Sequence, residues 1–449
     1  MKDLTTGKPT KVIILFAIPL MCGYIFQQFY NMADCKIVSY YVGTGAFAAI
    51  GATAVISNTI TGFINGMTQG FAIQVANSFG AKDYDRMRRF VAGTFMLTGF
   101  FTVVLSVLSQ IFIKQLLVLL KTPDDILDNA VMYVRIILAG IAFASLYNMC
   151  ANILRAVGDS KTPLYCLLAS VVINIGLDML LVSVFDAGIK GAAYATITSQ
   201  ALCGFACLIY IFIRFKELLP KRESWKLEQG QFSDLLTAGI SMGLMSCIVN
   251  IGTVVLQGAI NGLGTDIVSA HTAARRVFDI LTVVLYTIGL AMTTYVSQNM
   301  GAGRYDRVRI GIRQALIIVT IITTVLLIIC FAFARPVLRW VASTDAPAII
   351  DAGTMYMKIS ICFFYLLGPL LVLRLALQGM GKKIIPVLTS VVEMLVKILS
   401  ANFLVPVLKY KGVAFTEPIS WALMVTVLTI AYIKAIRELG AKSKVLQEG

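Results

Sequence analysis

The sequence predicts an all-α integral membrane protein: twelve transmembrane helices in two parallel six-helix repeats, an N-lobe and a C-lobe, around a central cavity. Three observations predict it. Of 449 residues, 58% are hydrophobic and 14% charged, where a soluble chain carries roughly a quarter charged residues. The apolar residues come in unbroken blocks, such as TFMLTGFFTVVLSVLSQIFI (94–113) and ALIIVTIITTVLLIICFAF (315–333), and about 20 apolar residues in a helix cross a bilayer. The two halves of the chain also repeat each other in sequence.

Lipid offers the backbone no hydrogen-bond partner, so spans are helices or a closed barrel. Continuous apolar runs exclude the alternating barrel pattern. In chain order the expected spans are 11–40, 46–77, 90–120, 130–157, 162–185, 190–214, 232–261, 266–299, 309–335, 351–379, 384–408 and 412–435. The first is too long for a signal-peptide core and lacks a small-residue cleavage signal, so it is expected to be retained. Pro19, in AIPLMCG (17–23), removes an intrahelical hydrogen bond there and is expected to kink the span. Gly62, Gly66 and Gly70 give the second span the spacing of a close-packing face. The nine cysteines are scattered and read as helix-packing residues.

The repeat fixes the domain organisation. GAKDYDRMR (80–88) returns as GAGRYDRVR (301–309), with Tyr84 and Tyr305 separated by 221 residues. The same offset aligns KGAAYATITSQAL (190–202) with KGVAFTEPISWAL (411–423), while LRAVGDSKTP (154–163) aligns with LQGMGKKIIP (377–386) at 223. The chain therefore divides into an N-lobe repeat, 1–222, and a C-lobe repeat, 223–449, joined by a charged linker at about 214–231. Six spans per repeat is even, so the repeats are parallel, a geometry found in secondary transporters.

The net charge of +15 lies in alternate connections: AKDYDRMRRF (81–90), RFKELLPKRESWK (214–226), GRYDRVRIGIR (303–313), Lys382 and Lys383, and both termini. The intervening GTGAF (43–47) is free of charge and NGLGTD (261–266) of positive charge. By the positive-inside rule this places both termini in the cytoplasm, in the cytoplasmic (inner) membrane of a multi-pass protein. Anionic lipid headgroups account for the basicity, so no nucleic-acid partner is expected. Enzymatic chemistry is not expected either. There is one histidine, no metal-ligand cluster, no nucleophile motif and no GxxxxGK[ST] phosphate loop, so an ion gradient must drive any work.

An ionisable residue inside a span costs at least ~2.5 kcal/mol on insertion scales and is a functional candidate by default. In the first half these are Asp34, Lys36 and Asp178. Asn174 is four residues before Asp178, so one helix turn stacks amide and carboxylate on one face. Thr196 and Thr198 can add hydroxyls. Two carboxylates with amide and hydroxyl oxygens suit a proton or a hard cation. Held close together, the carboxylates cannot both ionise cheaply in a dry site. In the second half the candidates are His271, Arg275, Arg276, Asp279, Glu393, Lys397 and Glu417. Arg275 with Asp279 and Glu393 with Lys397 stand at i,i+4 and are readable as self-neutralising pairs, or as cavity residues. Glu417 aligns with Thr196 of the first half and is followed by Pro418.

These pieces resemble the multidrug and toxic compound extrusion (MATE) transporters. The matching stretches are IPLMCGYIFQQFYNMAD (18–34), NSFGAKDYDRMRR (77–89), LRAVGDSKTP, NIGLDMLLV (174–182), GAAYATITSQ (191–200) and SQNMGAGRYDRVR (297–309), in order along the chain. The resemblance implies two lobes enclosing a cavity and secondary active export of amphipathic, often cationic compounds against H⁺ or Na⁺. In one branch coupling resides in two Asp, an Asn and a Thr, which fall here on Asp34, Asn174, Asp178 and Thr196, a candidate Na⁺ site as well as a proton site. Another branch uses a Glu in the seventh span, where this chain has Val249 or Asn250. The resemblance implies no cofactor beyond the coupling ion. The partners implied are small amphipathic or cationic substrates and membrane lipids, with the chain acting as a monomer. The same superfamily includes lipid-linked oligosaccharide flippases, for which Arg275, Arg276 and Lys397 would supply basic cavity residues. Asn250, His271, Arg275, Glu393, Lys397 and Glu417 are the second-lobe cavity candidates.

Overall fold

The computed structural model describes residues 3–120 and 122–448, with the side chains of residues 31–33, 35, 44, 47 and 441–448 outside the description. The first half is built from α1 (Pro9–Tyr41), α2 (Thr44–Gly80), α3 (Tyr84–Leu119), α4 (Asp124–Ala139), α5 (Ile141–Ala156), α6 (Lys161–Asp178) and α7 (Gly188–Arg214). Two 3₁₀ turns, Lys216–Leu218 and Arg222–Trp225, lead into the second half. That half holds α8 (Gln229–Asn261), α9 (Thr265–Gly301), α10 (Tyr305–Ala342), α11 (Pro347–Cys362), α12 (Phe364–Gly379), α13 (Ile384–Leu399), α14 (Val405–Leu408) and α15 (Tyr410–Glu448). Among the described residues there is no strand.

Twelve spans follow from these helices. Nine helical stretches are each long and apolar enough to cross a bilayer. Two bent pairs, α4 with α5 at 44° and α11 with α12 at 53°, add one span each. The twelfth is α2, whose 37 residues include no Asp, Glu, Lys or Arg. The fourth expected span, 130–157, is thus two helices rather than one. The break falls at Gly140, where a Cβ would lie 2.4 Å from the Ile197 side chain of α7. Phe143 N–H bonds Gly140 O at 3.0 Å, and Leu366 N–H bonds Phe363 O at 2.8 Å at the corresponding break of the second half.

The repeat recurs in backbone detail. α1 and α8 both have 33 residues, α2 and α9 both have 37, and α4, α5, α11 and α12 all have 16. Among the described residues, eight of the eleven with positive φ fall in four matched pairs: Gly43 with Gly264, Lys82 with Gly303, Gly158 with Gly381, and Asp186 with Lys409. At Gly43 and Gly264, φ values of 104° and 100° lie where L-residues are disfavoured, and both glycines cap the helix that follows. A π-helical turn ends the fifth span of each half, at Met179–Val184 and at Ser400–Leu404.

By contacts the chain forms two compact units. One holds Pro19–Cys247, and the other holds Leu4–Ile18 with the chain from Ile248 onward. The units differ from the sequence repeats in the first helix of each half. α1 runs as one helix through Pro19, and its residues before Pro19 count with the second unit. α8 starts in the first unit and continues into the second.

Within the first unit, α2 and α8 pack backbone on backbone. A Cβ on Gly66 would lie 2.5 Å from Met242 O, and one on Gly70 2.4 Å from Ala238 O. Lipid supplies no hydrophobic drive for helix association, so such close approach carries the packing. Phe71, Phe90, Leu154, Cys207 and Leu235 form a buried cluster joining α2, α3, α5, α7 and α8. Conversely, α3 turns Phe100, Val103, Val107 and Ile111 outward, and α10 does the same with Ile317, Ile321, Val325 and Ile328. Such apolar faces suit acyl chains rather than water.

Candidate functional site

Three helices of the first unit bring their polar residues to one place. α1 supplies Asp34, α6 supplies Asn174 and Asp178, and α7 supplies Thr196. All four are buried, Asn174 and Asp178 completely. Asp178 is the last residue of α6, at the junction with the π turn. A Cβ on Gly191 of α7 would lie 3.2 Å from Leu181 backbone, so α7 starts pressed against that turn.

The carboxyls of Asp34 and Asp178 lie close enough to interact with each other. Asp34 Oδ1 and Asp178 Oδ1 meet no N–H or O–H donor. Two carboxylates held close and away from water cannot both ionise cheaply, so the pair suits one shared proton or a cation between them. Asn174, with its nitrogen turned toward Asp178, donates to Oδ2 at 2.8 Å, and its oxygen accepts from the Thr196 backbone N–H at 3.2 Å. That orientation is the one the hydrogen-bond network selects. Tyr30, one turn before Asp34 on α1, donates its hydroxyl to Thr196 Oγ1 at 3.4 Å. Further out, Ser199 Oγ–H donates to Thr196 O and Ser170 Oγ–H to Ser199 O, both at 2.9 Å, tying α6 to α7 behind the site.

Lys36 is exposed, and among the described residues no ion pair joins it to Asp34. Two residues along a helix is a rotation of roughly 200°, which separates the ammonium from the buried carboxyl. The exposed side is the place for a snorkelling lysine.

The second-half candidates gather in the second unit around α9, α12, α13 and α15. Arg275 Nε donates to Asp279 Oδ1 at 2.9 Å, and its Nη1 donates to Glu417 Oε1 at 2.6 Å. The guanidinium lies over the Phe278 ring, 4.8 Å from its centre. Lys397 Nζ donates to Glu393 Oε1 at 2.9 Å and to Thr253 Oγ1 at 3.1 Å. Arg374 Nη1 is 3.7 Å from Glu393 Oε2, and its Nη2 bonds Ser390 Oγ. His271 Nδ1 and Tyr410 OH are 3.3 Å apart, with the edge of Tyr356 at a centroid distance of 5.0 Å. Asn250 is half-buried on α8. Both i,i+4 pairs expected from sequence therefore form, and each gains a third charge from another helix.

Three contributors escaped the sequence reading. Tyr30 looks like any aromatic of an apolar span, and Thr253 like any packing threonine. Arg374 carried a usable signal, because a single Arg inside LLVLRLALQG (370–379) is an intramembrane charge by position alone.

A family model described as MatE matches residues 19–180 and 242–402, once in each half. The probable multidrug resistance protein YpnP of Bacillus subtilis is 30% identical, over 81% of this chain and 80% of that protein. The multidrug export protein MepA of Staphylococcus saprophyticus is 23% identical, over 85% of each. Among solved structures, a crystal structure of MATE in the bent conformation superposes with a TM-score of 0.90 at 21% identity, covering 98% of both chains.

Proposed function

The chain belongs to the MatE family, and from that premise we propose that it is a multi-pass exporter of amphipathic, often cationic compounds. It works by alternating access as a monomer in the cytoplasmic membrane, with both termini in the cytoplasm. Export is coupled to an inward-moving H⁺ or Na⁺ at Asp34, Asn174, Asp178 and Thr196.

The observation that carries this reading is the buried contact between Asp34 and Asp178, with oxygens that find no donor in the protein. A carboxyl pair in that state exchanges its proton or cation for hydration or for another cation. That exchange is what an antiporter requires: loading from one side, release to the other, and a cost for crossing with the site half-filled. The Asn174 amide is placed to steady Asp178 through the exchange, and through Thr196 it joins the ion site to α7. The relatives named as multidrug resistance and export proteins support the substrate class.

The flippase alternative needs basic groups open to a lipid pyrophosphate. Arg275 is held by Asp279 and Glu417, and Lys397 by Glu393 and Thr253. These pairings support the exporter reading over it. The test is dye efflux from vesicles carrying the wild-type protein, under an imposed H⁺ gradient and separately under an imposed Na⁺ gradient. One of the two should drive uphill movement of ethidium. Movement under neither, with tight binding of a lipid-linked pyrophosphate, overturns the proposal.

A further inference from the structure

The second half contains a counterpart of the Asp34–Asp178 site, and what fills it can be read from the repeat. The matched left-handed residues Gly158 and Gly381, and Asp186 and Lys409, fix an offset of 223 across the fifth span of each half. At that offset Ser170 corresponds to Glu393 and Asn174 to Lys397. After the loop the offset returns to 221 at Lys190 and Lys411, so Thr196 corresponds to Glu417. α1 and α8, equal in length and starting at Pro9 and Gln229, set an offset of 220 that pairs Tyr30 with Asn250 and Asp34 with Val254.

The counterpart is therefore rebuilt, not erased. Two carboxylates, Glu393 and Glu417, stand on its walls, and the position of the Asn174 amide is taken by a lysine. Lys397 is 3% exposed. Its Nζ holds a carboxylate oxygen at 2.9 Å and a hydroxyl oxygen at 3.1 Å, and it lies close enough to Glu417 for their charges to interact. Oxygen ligands of this kind around one positive centre are what a bound monovalent cation would have. The lysine stem is fitted as well: a Cβ on Gly252 of α8 would lie 3.2 Å from Lys397 Cδ, so that glycine leaves the stem its room. The charges of the cluster balance, with Arg275, Arg374 and Lys397 against Asp279, Glu393 and Glu417. Yet Glu417 Oε2, on a residue 8% exposed, accepts no hydrogen bond. The site keeps an acceptor that a mobile cation could use.

We propose that the Lys397 ammonium is a tethered cation filling the second half's counterpart of the Asp34–Asp178 site, so that the protein carries one exchangeable coupling ion and not two. This rests on the coupling role given above to the first-half site. The tethered charge stays paired with Glu393 through the transport cycle, because it cannot leave. Lys397 also decides ion stoichiometry: without it the cluster has one net negative charge and oxygens open to Na⁺.

The experiment counts Na⁺ bound per protein, using radiolabelled Na⁺ at alkaline pH on purified full-length protein. Lys397→Gln should bind one Na⁺ more than its parent, both in the wild-type background and in Asp34→Asn/Asp178→Asn. Lys397→Arg keeps the charge and should bind no more than its parent. Glu393→Gln/Lys397→Gln, which removes both partners together, should also gain none. Equal counts in folded Lys397→Gln and its parent overturn the proposal. Lys397→Met, which retains the stem, guards against a folding defect specific to Gln. If neither neutral replacement folds, Lys397 is a structural ion-pair member, and that result overturns the proposal as well. Failure of the proposed first-half coupling shows separately, as gradient-driven dye accumulation at the wild-type rate in Asp34→Asn/Asp178→Asn.

Discussion

Asp34 and Asp178 come from helices far apart in the chain and are buried together in the first unit. In the proposed coupling, protons and Na⁺ compete for the same oxygens. If the pair releases one H⁺ for each Na⁺ it takes up, mass action raises the Na⁺ needed for half-maximal transport about tenfold per unit fall in pH. Efflux measured against Na⁺ concentration at two pH values checks this, and a Na⁺ requirement indifferent to pH contradicts it. Tyr30 has a smaller part. Its bond to Thr196 is long and neutral, worth about 0.5–1.5 kcal/mol by the usual range. Tyr30→Phe should therefore slow efflux by no more than roughly tenfold, whereas complete loss would give Tyr30 a role in coupling itself. The stack of Asn174 on Asp178 was legible from helix periodicity. That Asp34 joins it was legible only through family resemblance, because no spacing rule connects residues 34 and 178. Tyr30 and Thr253 were invisible for a physical reason: hydroxyl-bearing residues are common in spans, and only a three-dimensional neighbour gives them a role.

The helices themselves were mostly legible, because a lipid-crossing segment must be long and apolar throughout. The expected spans 384–408 and 190–214 differ little from α13 to α14 with their π turn and from α7. Where apolarity was the only guide, ends were missed: α2, α9 and α15 continue past the apolar run into helix that hydropathy does not register. The bend at Gly140 was hidden because its surroundings, Ile197 among them, come from a later helix. Glycine contacts between α2 and α8 make a strong prediction at this scale. Gly66→Leu or Gly70→Leu drives a side chain into a carbonyl of α8 and should destabilise the protein by about 1–3 kcal/mol or more, read as a lowered melting temperature in detergent. Unchanged melting would mean the two helices separate freely. The repeated arginine motifs act on element ends. In the first half Arg88 Nε donates to Glu217 O at 3.0 Å and Arg89 pairs with Glu228, fixing the segment that leads into α8. In the second half Arg304 Nη1 donates to Thr5 O at 2.7 Å and Arg307 Nη1 to Gly7 O at 2.9 Å, fixing the segment that leads into α1. Arg304→Ala/Arg307→Ala should accordingly speed amide exchange and proteolysis at residues 4–8 and leave the rest of the protection pattern intact.

At the scale of the whole molecule the chain is two copies of one six-helix plan that have diverged in charge. The plan was legible in the GAKDYDRMR and GAGRYDRVR repeats, and the structure extends it to helix lengths, left-handed residues and π turns. The division into compact units was not legible, since it depends on where α1 and α8 pack rather than on sequence likeness. The divergence gives the halves unlike charge: a buried carboxyl pair with no basic partner in the described contacts of the first, and in the second two ion-paired triads, Arg275 with Asp279 and Glu417, and Glu393 with Lys397 and Arg374. We propose that the first of these couples an ion to export. The most direct test compares wild type, Asp34→Asn and Asp178→Asn in vesicles, measuring both equilibrium dye binding and dye accumulation under an imposed ion gradient. Each variant should bind dye near the wild-type level and fail to accumulate it. Accumulation at the wild-type rate by either variant would contradict the account.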